Sequence, residues 1–340
     1  MQSEVKAEAH TAAAPNLGDG DVCAMMQERW GLDVQARCLT SERDQNFLVT
    51  ATDGRGFIVK IANPSEDRAV SNLQTAALQR IQDNDPGLPV PHLLPALTGA
   101  VEVDVTLPDG REAMVRVLSC VGGSPLYGMT VTPAMAHDLG GKAARLDQAL
   151  AGMRHPAERH PLVWDMTQID GLAHLLVHQD GEDGDLVRRE FHRFCTDTLP
   201  RFDGLRWQLI HNDLNLYNVF GDGDQITGLI DFGDMVRAPL ALDPAIAAAY
   251  LMVEGDDPFT LARAFLAAYQ QQLPLTEQEI ALLPDIMIGR HLLTLLVTRW
   301  RAELHPDNAT YILRNEPHAL TSLRHLVRAR ADGTVLIEQG

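Results

Sequence analysis

Two short polar motifs constrain the middle of this 340-residue chain more than any other feature. His211-Asn212-Asp213-Leu214-Asn215-Leu216-Tyr217-Asn218 follows the apolar run Trp207-Gln208-Leu209-Ile210. Ile230-Asp231-Phe232-Gly233-Asp234 closes a second run, Ile226-Thr227-Gly228-Leu229-Ile230. Gly221-Asp222-Gly223-Asp224 lies between them and carries a turn signal. Residues 208–231 therefore read as two short strands around a turn, with Asp- and Asn-rich loops beside them. Singly, each Asp or Asn is a natural loop cap. Together they match one pattern in order, spacing and apolar flanks.

That pattern, H-x-D-x-x-x-x-N followed closely by D-F-G, organises phosphoryl transfer. Such a reaction needs positioning and charge neutralisation. Asp213 is the candidate base, accepting a hydrogen bond from the attacking hydroxyl. Asn218 and Asp231 offer a neutral and a charged oxygen to Mg²⁺, which prefers oxygen ligands. His211 is expected to hold the loop by hydrogen bonds rather than to carry a proton. Asn215 either orients Asp213 or reaches metal or substrate.

The bulk numbers narrow the partners. Hydrophobic residues make up 45% of the chain, enough to bury a sizeable core. The formal charge of −18, from 28 basic and 46 acidic residues, argues against binding nucleic acid or an anionic membrane. It is compatible with a cationic substrate. Cys23, Cys38, Cys120 and Cys195 form no C-x-x-C pair, so a reduced, cytoplasmic protein is expected. No window approaches the ~18 uninterrupted apolar residues of a membrane span. Residues 238–253 are the most apolar; broken by Asp243 and Pro244, they read as a buried helix after a turn. Nothing in the sequence sets an oligomeric state.

The order of elements predicts an α+β fold. Residues 1–20 read as a loose tail, and a short helix follows over 21–30. Asp53-Gly54 joins strands 47–50 and 57–61, and Pro108-Asp109-Gly110 joins strands 101–105 and 113–118. Between the hairpins, Val70, Leu73, Ala77 and Ile81 recur at helical spacing. This gives a small antiparallel lobe over 21–118 with one main helix. A hinge at 119–125 is punctuated by Gly122-Gly123-Ser124-Pro125. A larger, mostly helical lobe over 126–340 follows, with helices at 134–150, 186–199, 258–272 and 276–303, the last open to a break at Pro284.

The small lobe contributes its own candidates. Lys60, in an otherwise apolar strand, is placed to pair with nucleotide phosphates. Its partner from the following helix is Gln74 or Glu66; Gln74 is favoured, since acids in a first helical turn commonly serve the helix dipole. No glycine loop precedes Lys60. The polar turn Ser41-Glu42-Arg43-Asp44-Gln45-Asn46 would cover phosphates with Ser41 and Arg43, or else is a plain surface hairpin. The backbone of Ser119, Cys120 and Val121 would form the hinge that hydrogen-bonds the purine.

With these residues in view, the chain resembles the aminoglycoside phosphotransferase and choline kinase superfamily, and within it hydroxylysine kinase-like proteins. The carriers are residues 41–47, Lys60-Ile61-Ala62-Asn63-Pro64, residues 73–78, His155-Pro156-Ala157 with Trp164-Asp165, and His211-Asn212-Asp213-Leu214-Asn215. Protein kinases would instead show an A-P-E segment and an activation loop. The resemblance implies a bilobal protein-kinase-like fold, Mg²⁺, and ATP or GTP as donor. It implies a small hydroxyl acceptor carrying an amine, such as an amino alcohol or hydroxy amino acid, with choline-like compounds and aminoglycosides as alternatives. In the acceptor pocket, Asp234 and Glu254 are candidates for an ammonium group, Arg290 and Arg299 for a carboxylate, and Trp164 for an apolar or cation–π wall. The rival reading is a nucleotide-binding pseudokinase that keeps the fold without turnover.

Overall fold

Asp53-Gly54 does turn the chain, with Gly54 in the left-handed region (φ 87°) that a residue without a side chain adopts at no steric cost. It joins β2 (Gln45–Ala51) to β3 (Gly56–Ile61), after β1 (Val34–Leu39). With β4 (Val103–Thr106) and β5 (Glu112–Ser119) these make one antiparallel sheet in the order β1-β2-β3-β5-β4. The computed structural model describes residues 14–41, 44–334 and 336–337. It divides into two compact units, residues 1–122 with 155–157, and 123–154 with 158–340.

In the first unit, strand alternation assigns the two faces of the sheet. Phe47, Val49, Val59, Val115 and Val117 are buried with Val22, Met26 and Trp30 of α1 (Asp19–Trp30). The opposite face carries the cross-strand row Asn46, Lys60 and Arg116. There Arg116 donates to the Ser71 carbonyl and to Gln74 Oε1 of α2 (Arg68–Asn84). Helix α1 begins inside the expected tail, because the Gly18 N–H donates to Asp21 Oδ2 at 2.8 Å and Asp19 and Asp21 suit the positive end of the helix dipole. Residues 1–13 of that tail lie outside the described residues.

The second unit opens with β6 (Ser124–Pro125), which pairs with β8 (Val219–Asp222), so the punctuated segment carries a bridge as well as a turn. Helix α3 (Pro133–Leu150) is capped by Thr132, whose side chain accepts from the Met135 N–H. It lies against α6 (Thr260–Gln272) so closely that a Cβ on Gly140 would stand 2.1 Å from the Phe265 carbonyl oxygen. The helix expected at 186–199 starts earlier, as α4 (Gly181–Arg193), then continues as a π turn (Phe194–Thr198) and a 3₁₀ segment.

The motif region holds three strands rather than two. Strand β7 (Trp207–Ile210) pairs with β10 (Val236–Pro239), a strand without a periodic signal, while β8 and β9 (Gln225–Leu229) form the hairpin. Helix α5 (Leu242–Tyr250) starts ahead of Asp243-Pro244, where a proline in the first turn lacks no bond the helix needs. Helix α7 (Glu277–Leu304) runs unbroken through Pro284, held by buried residues on both sides of it. It is long and apolar enough to cross a membrane by composition, but 78% of its apolar window is buried inside the protein, as in a core helix. The short α8 (Ala309–Ile312) and α9 (Glu316–Ala331) complete the unit.

Candidate active site

The loop between β7 and β8 is built around Asp213. Asn215 Nδ2 and Asn218 Nδ2 both donate to its Oδ2, at 2.9 and 2.7 Å. Asn218 also donates to the Asp213 carbonyl at 3.0 Å. Arg290 Nη2, from α7, donates to the other oxygen, Oδ1, at 2.7 Å. Burial pushes the Asp213 carboxyl upward in pKa, opposed by Arg290, Asn215 and His211, while the charge of Asp231 nearby adds to the rise. Three side chains, two from the loop and one from α7, therefore orient one carboxylate.

His211 is fully buried and both ring nitrogens are engaged. Nδ1 accepts from the Asp213 N–H at 3.2 Å, and Nε2 lies 3.0 Å from the Ile230 carbonyl. That pair of contacts selects the tautomer with hydrogen on Nε2, so the ring ties the Asp213 loop to the strand leading into Asp231. The Ile230 N–H donates to the Asn218 carbonyl at 2.9 Å and makes a second tie.

Asn212 and Asp231 both sit in the left-handed region, with φ of 66° and 63°. Asn tolerates this region better than most residues, but it still costs energy that surrounding contacts must offset. They do so at Asn212. Its side chain donates to the carbonyls of Trp164 and Asp234, at 3.3 and 3.1 Å. Its N–H donates to Asp243 Oδ1 at 2.7 Å, and the His211 N–H donates to Asp243 Oδ2 at 2.9 Å. Asp243 thus grips two consecutive amides from the start of α5. Behind it stands Asp147 of α3, fully buried and accepting from the Tyr269 hydroxyl at 2.6 Å. Burial, and then the Asp243 charge, hold the Asp147 carboxyl neutral well above its usual range.

Asp243 and Asp147 are legible in the sequence only as acids interrupting apolar stretches. Arg290 was expected to await a carboxylate. Instead it is a buried partner of Asp213, bonded also to the Tyr250 hydroxyl at 3.0 and 3.2 Å. Its guanidinium lies 5.3 Å from the ring centres of both Trp164 and Tyr250. Burial works against its charge, but Tyr250 and Asp213 raise its pKa nonetheless. Arg299 is corrected likewise: it pairs with Glu316 of α9, a contact between helices. Asp234 is close enough to Arg290 to favour its charge, and exposed Glu254 acts in the same sense on His318.

Asn218 and Asp231 suit a hard divalent ion. The amide of Asn218 is fixed by the bonds from Nδ2 to Asp213, which leaves its oxygen as the coordinating end, and the Asp231 side chain is exposed. Among the described residues no cluster of three His, Cys, Asp or Glu could hold a metal ion by itself. One carboxylate and one amide match an ion whose remaining ligands are phosphate and water oxygens.

In the first unit, half-buried Lys60 faces Asn46 and Arg116 across the sheet. Gln74, expected as the Lys60 partner, gives its Oε1 to Arg116 at 3.0 Å, while Glu66 accepts from the Ser71 hydroxyl. Arg116, with 2% of its surface exposed, is a buried cation the apolar strand pattern concealed. Of the expected hinge backbone, the Ser119 N–H donates to the His92 carbonyl and the Cys120 N–H to the Gly56 carbonyl, so these two N–H groups are committed within the first unit. Val121 lies beyond them. Ser41 accepts from Asn46 Nδ2 at 3.3 Å, and Arg43 lies outside the described residues.

Residues 37–282 match the model of the phosphotransferase enzyme family. Hydroxylysine kinase of Danio rerio is 29% identical over 332 residues, covering 92% of each chain. Hydroxylysine kinase of Bos taurus is 24% identical, covering all of this chain and 96% of its own length. A homoserine kinase of Bradyrhizobium sp. is 33% identical over 61% of this chain and 68% of its own. Among solved structures, an amicoumacin kinase in complex with AMP-PNP, Ca²⁺ and Ami superposes with a TM-score of 0.67 at 16% identity, over 95% of this chain and 96% of that one. A microcompartment-associated aminopropanol kinase superposes with a TM-score of 0.65 at 20% identity, over 94% and 100%. These two share the protein-kinase-like fold.

Proposed function

The chain belongs to the phosphotransferase enzyme family and is a small-molecule phosphotransferase with a hydroxyl acceptor, and from that premise we propose that it phosphorylates a small hydroxy amine of the hydroxylysine or homoserine class. The observation that carries this reading is the convergence of Arg290, Asn215 and Asn218 on Asp213. A carboxylate held from both oxygens orients an acceptor hydroxyl with little freedom to lose, which is the main contribution a protein makes to phosphoryl transfer. Asp213 accepts the hydroxyl proton as the new O–P bond forms. The hydroxylysine kinases match over nearly the whole chain and the homoserine kinase over less, so a hydroxy amino acid of hydroxylysine type is the first candidate.

The donor is ATP or GTP with Mg²⁺. Asn218 and Asp231 would hold the ion, which neutralises phosphate charge when bound, and Lys60 would bind the phosphates from the first unit. Transfer is direct: among the described residues none beside Asp213 is arranged as a nucleophile with its own base. A cytoplasmic location completes the reading, in keeping with four free cysteines. A coupled nucleoside-diphosphate release assay tests it, with ATP and GTP against hydroxylysine, homoserine, threonine, ethanolamine, choline and aminoglycosides. The expected result is release that depends on one acceptor and disappears in Asp213→Ala. Nucleotide binding without acceptor-dependent release on a broad metabolite panel would favour the pseudokinase reading.

A further inference from the structure

We propose that Arg314 and Tyr217 form a subsite that reads a carboxylate on the acceptor, making the enzyme selective for hydroxy amino acids over the corresponding amino alcohols. This rests on the functional reading above and concerns the acceptor side of the same site.

Tyr217 stands four residues after Asp213 and one before Asn218, within the loop that holds the base. Its N–H donates to Asn215 Oδ1 at 2.8 Å, so its position is set by the residue that also holds Asp213. Its ring stacks on Tyr127, with centres 4.0 Å apart and planes inclined by 21°. The Tyr127 N–H in turn donates to the Leu216 carbonyl at 2.8 Å. Over the cluster lies Arg314, its guanidinium carbon 4.8 Å from the Tyr217 ring centre and 3.8 Å from that of Tyr311. Its Nη1 donates to the Tyr311 carbonyl at 2.9 Å.

Two features point to a ligand. Tyr127 and Tyr311 are large rings left 56% and 52% exposed around an exposed arginine. Rings that hold a guanidinium by its faces leave its edge for a planar anion. The Tyr217 hydroxyl oxygen, moreover, is shielded from solvent and makes no hydrogen bond of good geometry among the described residues, with Tyr127 and Arg314 beside it. A shielded hydroxyl without a well-formed bond is costly, and such groups call for an occupant. A guanidinium edge and a phenol O–H side by side suit a carboxylate, which accepts from both. In a chain of net charge −18 a positive spot beside the catalytic loop also supplies the attraction that the rest of the protein denies an anion.

The test compares acceptors that differ only in the carboxylate: hydroxylysine against 1,5-diaminopentan-2-ol, and homoserine against 3-aminopropan-1-ol. Wild-type enzyme should prefer the amino acid of the productive pair. Arg314→Gln should lower kcat/KM for it about ten- to hundredfold, mostly through KM, as expected for loss of a charge-assisted hydrogen bond. The amino alcohol should change by less than about threefold, and Arg314→Lys should restore part of the loss. Tyr217→Phe should act in the same direction, more weakly. Equal losses for both members of a pair overturn the inference. A rise in nucleotide KM instead would assign Arg314 to donor phosphates and also overturn it. Preference for the amino alcohols sinks the carboxylate subsite but leaves the phosphotransferase reading standing. Turnover of neither pair, with another acceptor active, removes both the acceptor class and the subsite.

Discussion

The Arg290–Asp213 pair offers the sharpest test of how the site is built. Arg290 is 3% exposed and Asp213 17%, with 2.7 Å between Nη2 and Oδ1. Removing one partner of such a pair leaves an uncompensated charge in a dry place, at about 3–5 kcal/mol. Arg290→Met fills similar space and leaves Asp213 with its two amide donors alone. At about 2.1 cal/mol/K of unfolding entropy per residue, about 1 kcal/mol moves the Tm of a 340-residue protein by roughly 1.4 °C, so Tm should fall by about 4–7 °C. Asp213→Asn should cost less, because Arg290 keeps the Tyr250 hydroxyl and its contacts with the rings of Trp164 and Tyr250. The double variant removes the stranded charge and should recover part of what Arg290→Met loses. A cycle of four melting curves then gives a coupling of about 2–3 kcal/mol, within the range for residues in direct contact. Arg290→Lys should fall between, since an ammonium cannot serve Asp213, Tyr250 and the Asn212 carbonyl in one plane. If the single losses add in the double variant to within about 0.5 kcal/mol, the two residues are not partners and the account of the base fails.

Two further outcomes concern pH. Glu279 caps α7: burial works against its charge, but Arg206 and the Thr276 N–H outweigh burial and lower its pKa. Its stabilisation is present above the unfolded pKa of about 4.3 and is lost as pH falls through the lower folded value, so Glu279→Gln should flatten the acid limb of a Tm–pH profile; an unchanged limb refutes the assignment. Asp147 has the opposite sign. Its raised carboxyl contributes stability that is full below the unfolded pKa of about 3.9 and fades as pH rises through the folded one. Asp147→Asn should therefore be tolerated near neutral pH, within about 1 kcal/mol, and should remove the pH-dependent loss, whereas a loss above about 3 kcal/mol in urea unfolding would mean that Asp147 works as an anion.

What could be read from the sequence was the part of the site whose bonds are short in sequence. His211, Asp213, Asn215 and Asn218 hold one another across five residues or fewer, so spacing alone encodes their geometry. The hairpin at Asp53-Gly54 was legible for the same reason. Strand β1 was not, because Val34 is its one well-buried residue and an edge strand shows little alternation. The groups that hold the base from outside come from far along the chain: Arg290 lies 77 residues from Asp213, and Asp243 lies 31 from Asn212. Helical periodicity placed Arg290 on a helix but not its direction, so it was assigned to a ligand that the protein's own carboxylate replaces. Arg116 and Gln74 show the same limit, since a strand pattern reveals two faces but not which helix covers each. One signal was still available. Asp147 interrupts an apolar helix face and Asp243 an apolar run, and an ionisable group in such a place must be neutral, paired or engaged with backbone. Asp147 is the first and Asp243 the last, and together they brace two amides of the loop carrying Asp213. An acid out of register with its surroundings is thus a pointer to machinery behind a catalytic loop, even where no motif includes it.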